Sequence, residues 1–382
     1  MLQLLLFFLT STLASAQGFD LGRIEVVARR PQVGEVQSSQ VASSVSREDM
    51  QSYNRTNVGD ALNLLSGVAL STNARNEKII SVRGFDSRQV PLFIDGIPVY
   101  VPFDGYVDFN RFTTADLASI QVAKGFSSVA YGANTLGGAI NLISRKPTKK
   151  LEGDLTVGSG SGAQQRASTN IGTNQGTWYL QTGVSSFESA GFPMSSAFKK
   201  TPTEDGGLRN NSSQKDEKLS VKVGLTPNAS DEYALSYYKQ DGEKGQPPTT
   251  NSTNIRYWKW PYWNKQSLYF VSQTALGEQE VLKTRLYHDS FDNQINTYTD
   301  HSYRTLRTTG SGSVTTGESV YHDRTKGGSL TLESYRLEKH TVTLVTLFKG
   351  DQHREVDRAG LENTSFKDQL LSFAGPALAD GE

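Results

Sequence analysis

From residue 151 onward apolar and polar residues alternate with a period of two, most clearly in Leu219-Ser220-Val221-Lys222-Val223-Gly224-Leu225. That period sends successive side chains to opposite faces of a strand, one apolar and one polar. The pattern predicts about nine strands, starting near residues 151, 164, 177, 217, 231, 264, 279, 327 and 339. Each is close to the roughly 9 to 11 residues that cross a bilayer. Tight turns fall near 173–176, 227–230, 277–278 and 337–338, and longer polar connections lie between them at 187–216, 241–263 and 291–326. Regular alternation of short and long connections predicts an antiparallel outer-membrane barrel with turns at one end and external loops at the other. A soluble sandwich is the competing arrangement, but its connections need not alternate. Trp178, Tyr233, Tyr237, Trp260, Tyr262 and Trp263 would suit the aromatic girdles of such a barrel.

Residues 45–150 have a different texture, with short elements separated by turn residues. Ser46-Arg47-Glu48-Asp49 reads as a capping box opening a short helix, and 56–65 as a second helix closed by Gly67. Strands are expected at 79–85 and 90–100, the latter interrupted by the hairpin dipeptide Asp95-Gly96. Thr113 to Asp116 is expected to cap a third helix, followed by strands at 119–123 and 139–143 with glycine turns between them. This is a compact α+β unit. Gly158-Ser159-Gly160-Ser161-Gly162 is glycine-rich, but it precedes a strand-like segment and not a helix, which makes it a hairpin tip and not a nucleotide loop.

The N-terminus carries an address. Residues 2–9 are almost wholly apolar and lead to Ala14-Ser15-Ala16, so residues 1–16 read as a cleaved secretory signal peptide, although no basic residue precedes the apolar run. Residues 17–44 follow as a polar leader with one extended patch at 23–28. Such a patch suits either strand addition to a partner or an edge strand of its own domain.

Composition narrows the chemistry. The 382 residues contain no Cys, which removes disulfides, thiolate nucleophiles and Cys-based metal sites. The five His are widely spaced in the second half, giving no metal motif, and no cofactor is expected. Lys plus Arg equals Asp plus Glu at 39 each, so no basic field points to nucleic acid. No catalytic triad or cofactor loop is present, and the chain is not expected to be an enzyme.

Taken in order, these features resemble a TonB-dependent outer-membrane receptor. Two blocks carry the resemblance. One is Ile80-Ser81-Val82-Arg83-Gly84-Phe85 leading to Leu92-Phe93-Ile94-Asp95-Gly96-Ile97-Pro98-Val99. The other is Ile120-Gln121-Val122-Ala123-Lys124-Gly125 leading through Tyr131-Gly132 to Gly137-Gly138-Ala139-Ile140-Asn141-Leu142-Ile143-Ser144-Arg145-Lys146-Pro147. The resemblance implies an α+β plug domain at 45–150 and an incomplete antiparallel transmembrane β-barrel at 151–382, about nine of 22 strands. It also implies a TonB box at Ile24, Glu25, Val26, Val27 and Ala28 that adds a strand to TonB.

The implied function is energised import of a scarce ligand across the outer membrane, a ferric siderophore by family frequency, with cobalamin, haem or a glycan as other cargo. Its partners would be TonB, a metal chelate or other small molecule, and outer-membrane lipid. Candidate ligand-binding residues on the apical loops are Arg75, Arg83, Arg88, Phe103 and Tyr106, with packing against the barrel wall as the alternative role for the two aromatics. Two other readings stand beside this one: a surface-binding or adhesion protein without TonB coupling, and an inactive truncated receptor fragment. Truncation is expected because an open sheet exposes unpaired edges to lipid, and 373–382 lacks a closing aromatic strand.

Overall fold

The computed structural model describes residues 43–73, 75–99, 105–125, 135–250, 255–308, 317–337, 340–359 and 362–381. The signal peptide, the extended patch Ile24 to Ala28 and Phe103 lie outside these residues.

The N-terminal domain begins with β1 (Ser43–Ser46) and α1 (Arg47–Ser52). The expected capping box is formed: the Ser46 hydroxyl accepts the Asp49 N–H at 3.1 Å, and the Asp49 carboxylate accepts the Ser46 N–H at 3.0 Å. α2 (Val58–Leu62) is shorter than the expected 56–65 because Asn57 caps it, its side chain accepting the Asp60 N–H, and Asn63 ends it. A three-stranded sheet follows, formed by β2 (Val68–Thr72), β3 (Lys78–Val82) and β4 (Phe85–Asp86).

β5 (Leu92–Ile94) and β6 (Ile97–Val99) form the hairpin signalled by Asp95-Gly96, where both residues have positive φ, 50° and 77°. A side chain at position 96 would also meet Arg285 at 2.8 Å, a second reason for glycine there. β7 (Leu117–Lys124) and β8 (Gly138–Ser144) complete a mixed five-stranded sheet in the order β1-β7-β8-β5-β6. The helix expected at Thr113 to Asp116 does not form. The Thr113 hydroxyl accepts the Ala115 N–H and closes a turn that feeds directly into β7.

The C-terminal region is one antiparallel sheet of ten strands running in chain order. They are β9 (Glu152–Gly160), β10 (Gln164–Asn174), β11 (Trp178–Ser189), β12 (Gln214–Leu225), β13 (Glu232–Gly245), β14 (Trp258–Ala275), β15 (Glu280–Thr297), β16 (Glu318–Leu337), β17 (His340–Ala359) and β18 (Glu362–Gly381). Within the described residues the sheet is open, with β9 at one edge and β18 at the other. One strand more than the pattern suggested is present, since β18 lacks strict alternation and pairs through its backbone with β17. The long connections shrink to 190–213, 246–257 and 298–317, because the strands continue past their apolar stretch as hydrogen-bonded ladders with polar residues on both faces.

This wall is inverted relative to a soluble sheet. Its outer face exposes Leu155, Val184, Leu219, Leu235, Leu268, Leu286, Leu330 and Phe348, whereas its inner face buries Gln181, Lys222, Gln240, Lys265, Thr325 and Glu333. An exposed apolar band of this extent suits lipid. The N-terminal domain lies against the inner face, and its core of Val58, Leu62, Ile80, Val82, Leu92, Ile120, Ile140 and Leu142 runs on into Tyr179, Trp263, Tyr269 and Phe291 of the wall. Trp260 and Trp263, expected in girdles, therefore point inward and are buried. The pleat puts them on the inner face, and the ladder is irregular between Lys259 and Tyr262.

Candidate ligand-binding site

Two features of the inner face position the N-terminal domain. The first is a ladder of ion pairs along β12 and β13. Rising from the short-turn end towards the long loops, Lys146 meets Glu232 at 2.7 Å, Asp95 meets Lys222 at 2.8 Å and Asp116 meets Lys218 at 2.8 Å. Higher up, Arg111 meets Asp216 at 3.0 Å and Asp108 meets Lys244 at 2.6 Å. On the edge strand, Arg47 and Arg145 share Asp154 at 2.9 and 2.5 Å.

Asp95 is the most heavily engaged of these residues. Its carboxylate also accepts the Ser144 N–H and hydroxyl at 2.9 and 2.5 Å and the Tyr269 hydroxyl at 2.9 Å. Burial alone would push its carboxyl up, but Lys222 and the Ser144 donors outweigh burial and hold it below the usual carboxylate range.

The second feature is a small recess of about 50 Å³ at the long-loop end. Arg75, Glu77, Tyr106 and Asp108 line it from the N-terminal domain, and Trp260, Trp263, Phe291, Asn293, Ile295, Tyr321 and Asp323 line it from β14–β16. Trp263 stacks edge-on with Phe291 at 4.9 Å and with Phe112 at 6.1 Å. The loop between β2 and β3 forms the near side. The Asn73 side-chain oxygen accepts the N–H groups of Arg75 and Glu77, its amide donates to Glu77, and Arg75 pairs with Glu77 at 3.0 Å. Lys244 ties this loop to the wall by donating to the Asn76 carbonyl at 3.3 Å. Burial pushes the Glu77 carboxyl up, despite Lys244, Arg75 and Asn73.

Of the sequence-predicted residues, the structure brings three to this end. Arg75 and Tyr106 line the recess together, and Arg88 lies over the Tyr106 ring at 4.7 Å while pairing with Asp86 at 3.0 Å. The Tyr106 hydroxyl donates to the same Asp86 at 3.2 Å. Arg83 is not with them. It sits just past the far end of β3, with φ of 50° and its N–H bonded to the Gly67 carbonyl, and its charge adds to burial in lowering the pKa of Lys124. Sequence reasoning missed the ladder and the wall's share of the recess. The alternation in β12 marks Lys218 and Lys222 as inward, but only the three-dimensional register shows their partners. Among the described residues no cluster of three or more His, Asp or Glu is arranged to hold a metal ion.

With this geometry in place, a family model described as the TonB-dependent Receptor Plug Domain matches residues 35–139. Residues 35–139 are thus the plug domain of the TonB-dependent receptors. The N-terminal domain is their plug, and the ten strands match the antiparallel strands of their barrels. Over 138 residues the chain is 29% identical to the ferripyoverdine receptor of Pseudomonas aeruginosa, covering 35% of this chain and 16% of that protein. Over 119 residues it is 29% identical to the vitamin B12 transporter BtuB of Vibrio cholerae, covering 31% and 20%.

Among solved structures, the copper transporter OprC superposes with a TM-score of 0.67 at 16% identity, covering 84% of this chain and 48% of that one. P. aeruginosa FpvA bound to heterologous pyoverdines superposes with a TM-score of 0.67 at 15% identity, covering 88% and 48%. The chain thus spans about half the length of these solved proteins. At such identities the likeness is one of fold.

Proposed function

We propose that the chain supplies the plug and part of the wall of an outer-membrane receptor that captures a metal chelate, foremost a ferric siderophore, and imports it with energy from TonB. The observation that carries this reading is the recess at the long-loop end, where two plug loops and three wall strands bring Arg75, Tyr106, Trp260, Trp263 and Tyr321 together. Aromatic faces with a few fixed polar groups suit contact with one edge of a chelate too large to enter a recess of about 50 Å³. The similarity to a ferripyoverdine receptor favours iron as cargo, and the plug–wall ladder supports a domain that stays seated until it is pulled. On this reading no bond of the ligand is made or broken by the receptor. It is exported by its signal peptide, and the TonB box at Ile24 to Ala28 adds a strand to TonB.

The test is uptake of radiolabelled ferric siderophores by iron-starved cells carrying the receptor, with and without TonB. Val26→Pro removes a backbone donor from the box and is expected to abolish uptake while cell-surface binding stays at the parent level. Uptake that is equal with and without TonB would sink the proposal.

A further inference from the structure

Between the plug and the first strands of the wall lies a cavity of about 330 Å³, far larger than the recess and sharing no lining residue with it. Small inward residues make room for it on the wall. The register sets Thr156, Ser168 and Ser185 side by side across β9, β10 and β11, with Gly158 and Arg166 one level nearer the long loops. The hydroxyls of Thr156, Ser168 and Ser185 line the cavity and make no hydrogen bond among the described residues. On the plug side the connection between α1 and α2 faces them. Its backbone is strapped to the turn before β7: the Thr114 hydroxyl donates to the Arg55 carbonyl at 2.6 Å, and the Thr114 N–H donates to the Thr56 carbonyl at 3.1 Å.

The carboxylates of this lining are already engaged. Asp154 is held by Arg47 and Arg145, and Asp216 by Arg111 and by the Gln214 amide at 2.7 Å. Lys218 is paired with Asp116. Two further arginines of the lining, Arg55 and Arg166, have no acid partner among the described residues. Arg166 donates to the Asn54 side chain at 2.6 Å, and its Nε has no acceptor. Arg55 is half-buried and its Nε is buried without an acceptor. Arg111, whose side chain is fully buried, also keeps an Nε without a partner. Guanidinium donors left unmade out of bulk water are costly, and an acceptor that reaches them gains that cost back.

We propose that this cavity binds a small organic dicarboxylate that bridges plug and wall, at a site distinct from the recess. Arg55 and Arg166 supply charge-assisted donors for its carboxylates, and the hydroxyls of Thr156, Ser168 and Ser185 line its body. The volume lies in the range of small-molecule pockets, whereas a lone inorganic anion would leave most of it to water. The donors are fixed before the ligand arrives, Arg55 on a strapped connection and Arg166 on a paired strand. Arg111 stands between the two spaces, lining the cavity while its guanidinium lies over the Trp263 ring of the recess at 5.2 Å. A ligand held by Arg55 of the plug and Arg166 of β10 binds only the seated plug and so favours seating by mass action. The inference needs the plug against the wall, and it depends neither on the cargo nor on TonB.

The test is calorimetric titration of the membrane-extracted receptor with dicarboxylates from malonate to adipate, with the diamide of the best-binding acid and with inorganic phosphate. At least one dicarboxylate is expected to bind saturably, and Arg55→Gln and Arg166→Gln are each expected to weaken it about tenfold or more. The neutral diamide should be weaker by about the same factor, and Arg336→Gln, an exposed arginine paired with Glu280 at the short-turn end, should leave affinity unchanged. Because the Arg55 side chain makes no bond within the protein, Arg55→Gln should leave ligand-free hydrogen-exchange protection of residues 47–62 at the parent level. The dicarboxylate should then raise that protection in the parent and not in Arg55→Gln. Absence of saturable binding, parental affinity in both arginine variants or equal binding of the diamide would overturn the inference. Inorganic phosphate binding as tightly as the best acid would show an adventitious ion only and overturn it too. A fall in ligand-free protection in Arg55→Gln would give that arginine a structural role in place of a binding one.

Discussion

The plug meets the wall in two different ways. Against β12 and β13 it is moored by charges, with Asp95, Arg111, Asp108 and Asp116 each facing an opposite charge across the seam. Against β14 to β16 it presents rings and a recess, with Phe112 on Trp263, Trp263 on Phe291, and Arg75 near Tyr321. Buried ion pairs are geometrically exact and costly to break singly, whereas rings tolerate a range of partners. On the proposed function, the difference gives mooring to one side of the plug and ligand capture to the other.

The largest expected effect lies on the moored side. Asp95→Ala removes the acceptor for Lys222, Ser144 and Tyr269 and leaves Lys222 buried without its counter-charge, a loss of about 3–5 kcal/mol in plug stability. Hydrogen exchange of plug amides in the membrane-embedded protein reads that loss. Protection at the parent level would show that the ladder does not moor the plug. Since the Asp95 carboxyl is held low in the folded state, its contribution is present above about pH 4 and is lost as the pH falls through the depressed folded value.

Glu77, on the recess side, carries the opposite sign. Its folded pKa is raised by burial, so the plug is favoured when it is protonated, and that advantage is lost as pH rises from about 4.3 towards the folded value. Glu77→Gln is therefore expected to raise protection of the β2–β3 hairpin at neutral pH, by less than the Asp95→Ala loss, and to leave it unchanged below about pH 4. A loss of protection at both pH values would mean that the Arg75 pair outweighs burial. The smallest stability effect belongs to Arg88→Ala. Its pair with Asp86 is 56% and 36% exposed, so no more than about 1 kcal/mol is expected in the same exchange measurement.

How far the sequence reached follows from what each signal encodes. The capping box at Ser46, the Asp95-Gly96 hairpin and the alternation of Leu219 to Leu225 are local, and all three are realised in the structure. β1 and β2 were missed because they are short and lack alternation, and each is held by a neighbour distant in sequence or by a hairpin partner. The inward turn of Trp260 and Trp263 depends on strand parity across a bulge, which composition does not reveal. For the site, loop position was enough to place Arg75, Arg88 and Tyr106 at one end, and it failed for Arg83 because the positive-φ turn that holds it closes the opposite end of β3. The wall's half of the recess comes from strands more than 150 residues away, where Trp260 and Tyr321 meet Arg75.

The central claim is that ligand is captured at the recess between the plug loops and β14 to β16. Its most direct test is equilibrium binding of a ferric-siderophore panel to the receptor in isolated outer membranes, comparing the parent with Arg75→Ala/Tyr106→Ala and with Arg83→Ala. The account predicts about a tenfold or greater loss for the double variant, at unchanged plug protection, and parental binding for Arg83→Ala. Parental binding by the double variant, or a loss confined to Arg83→Ala, would contradict it.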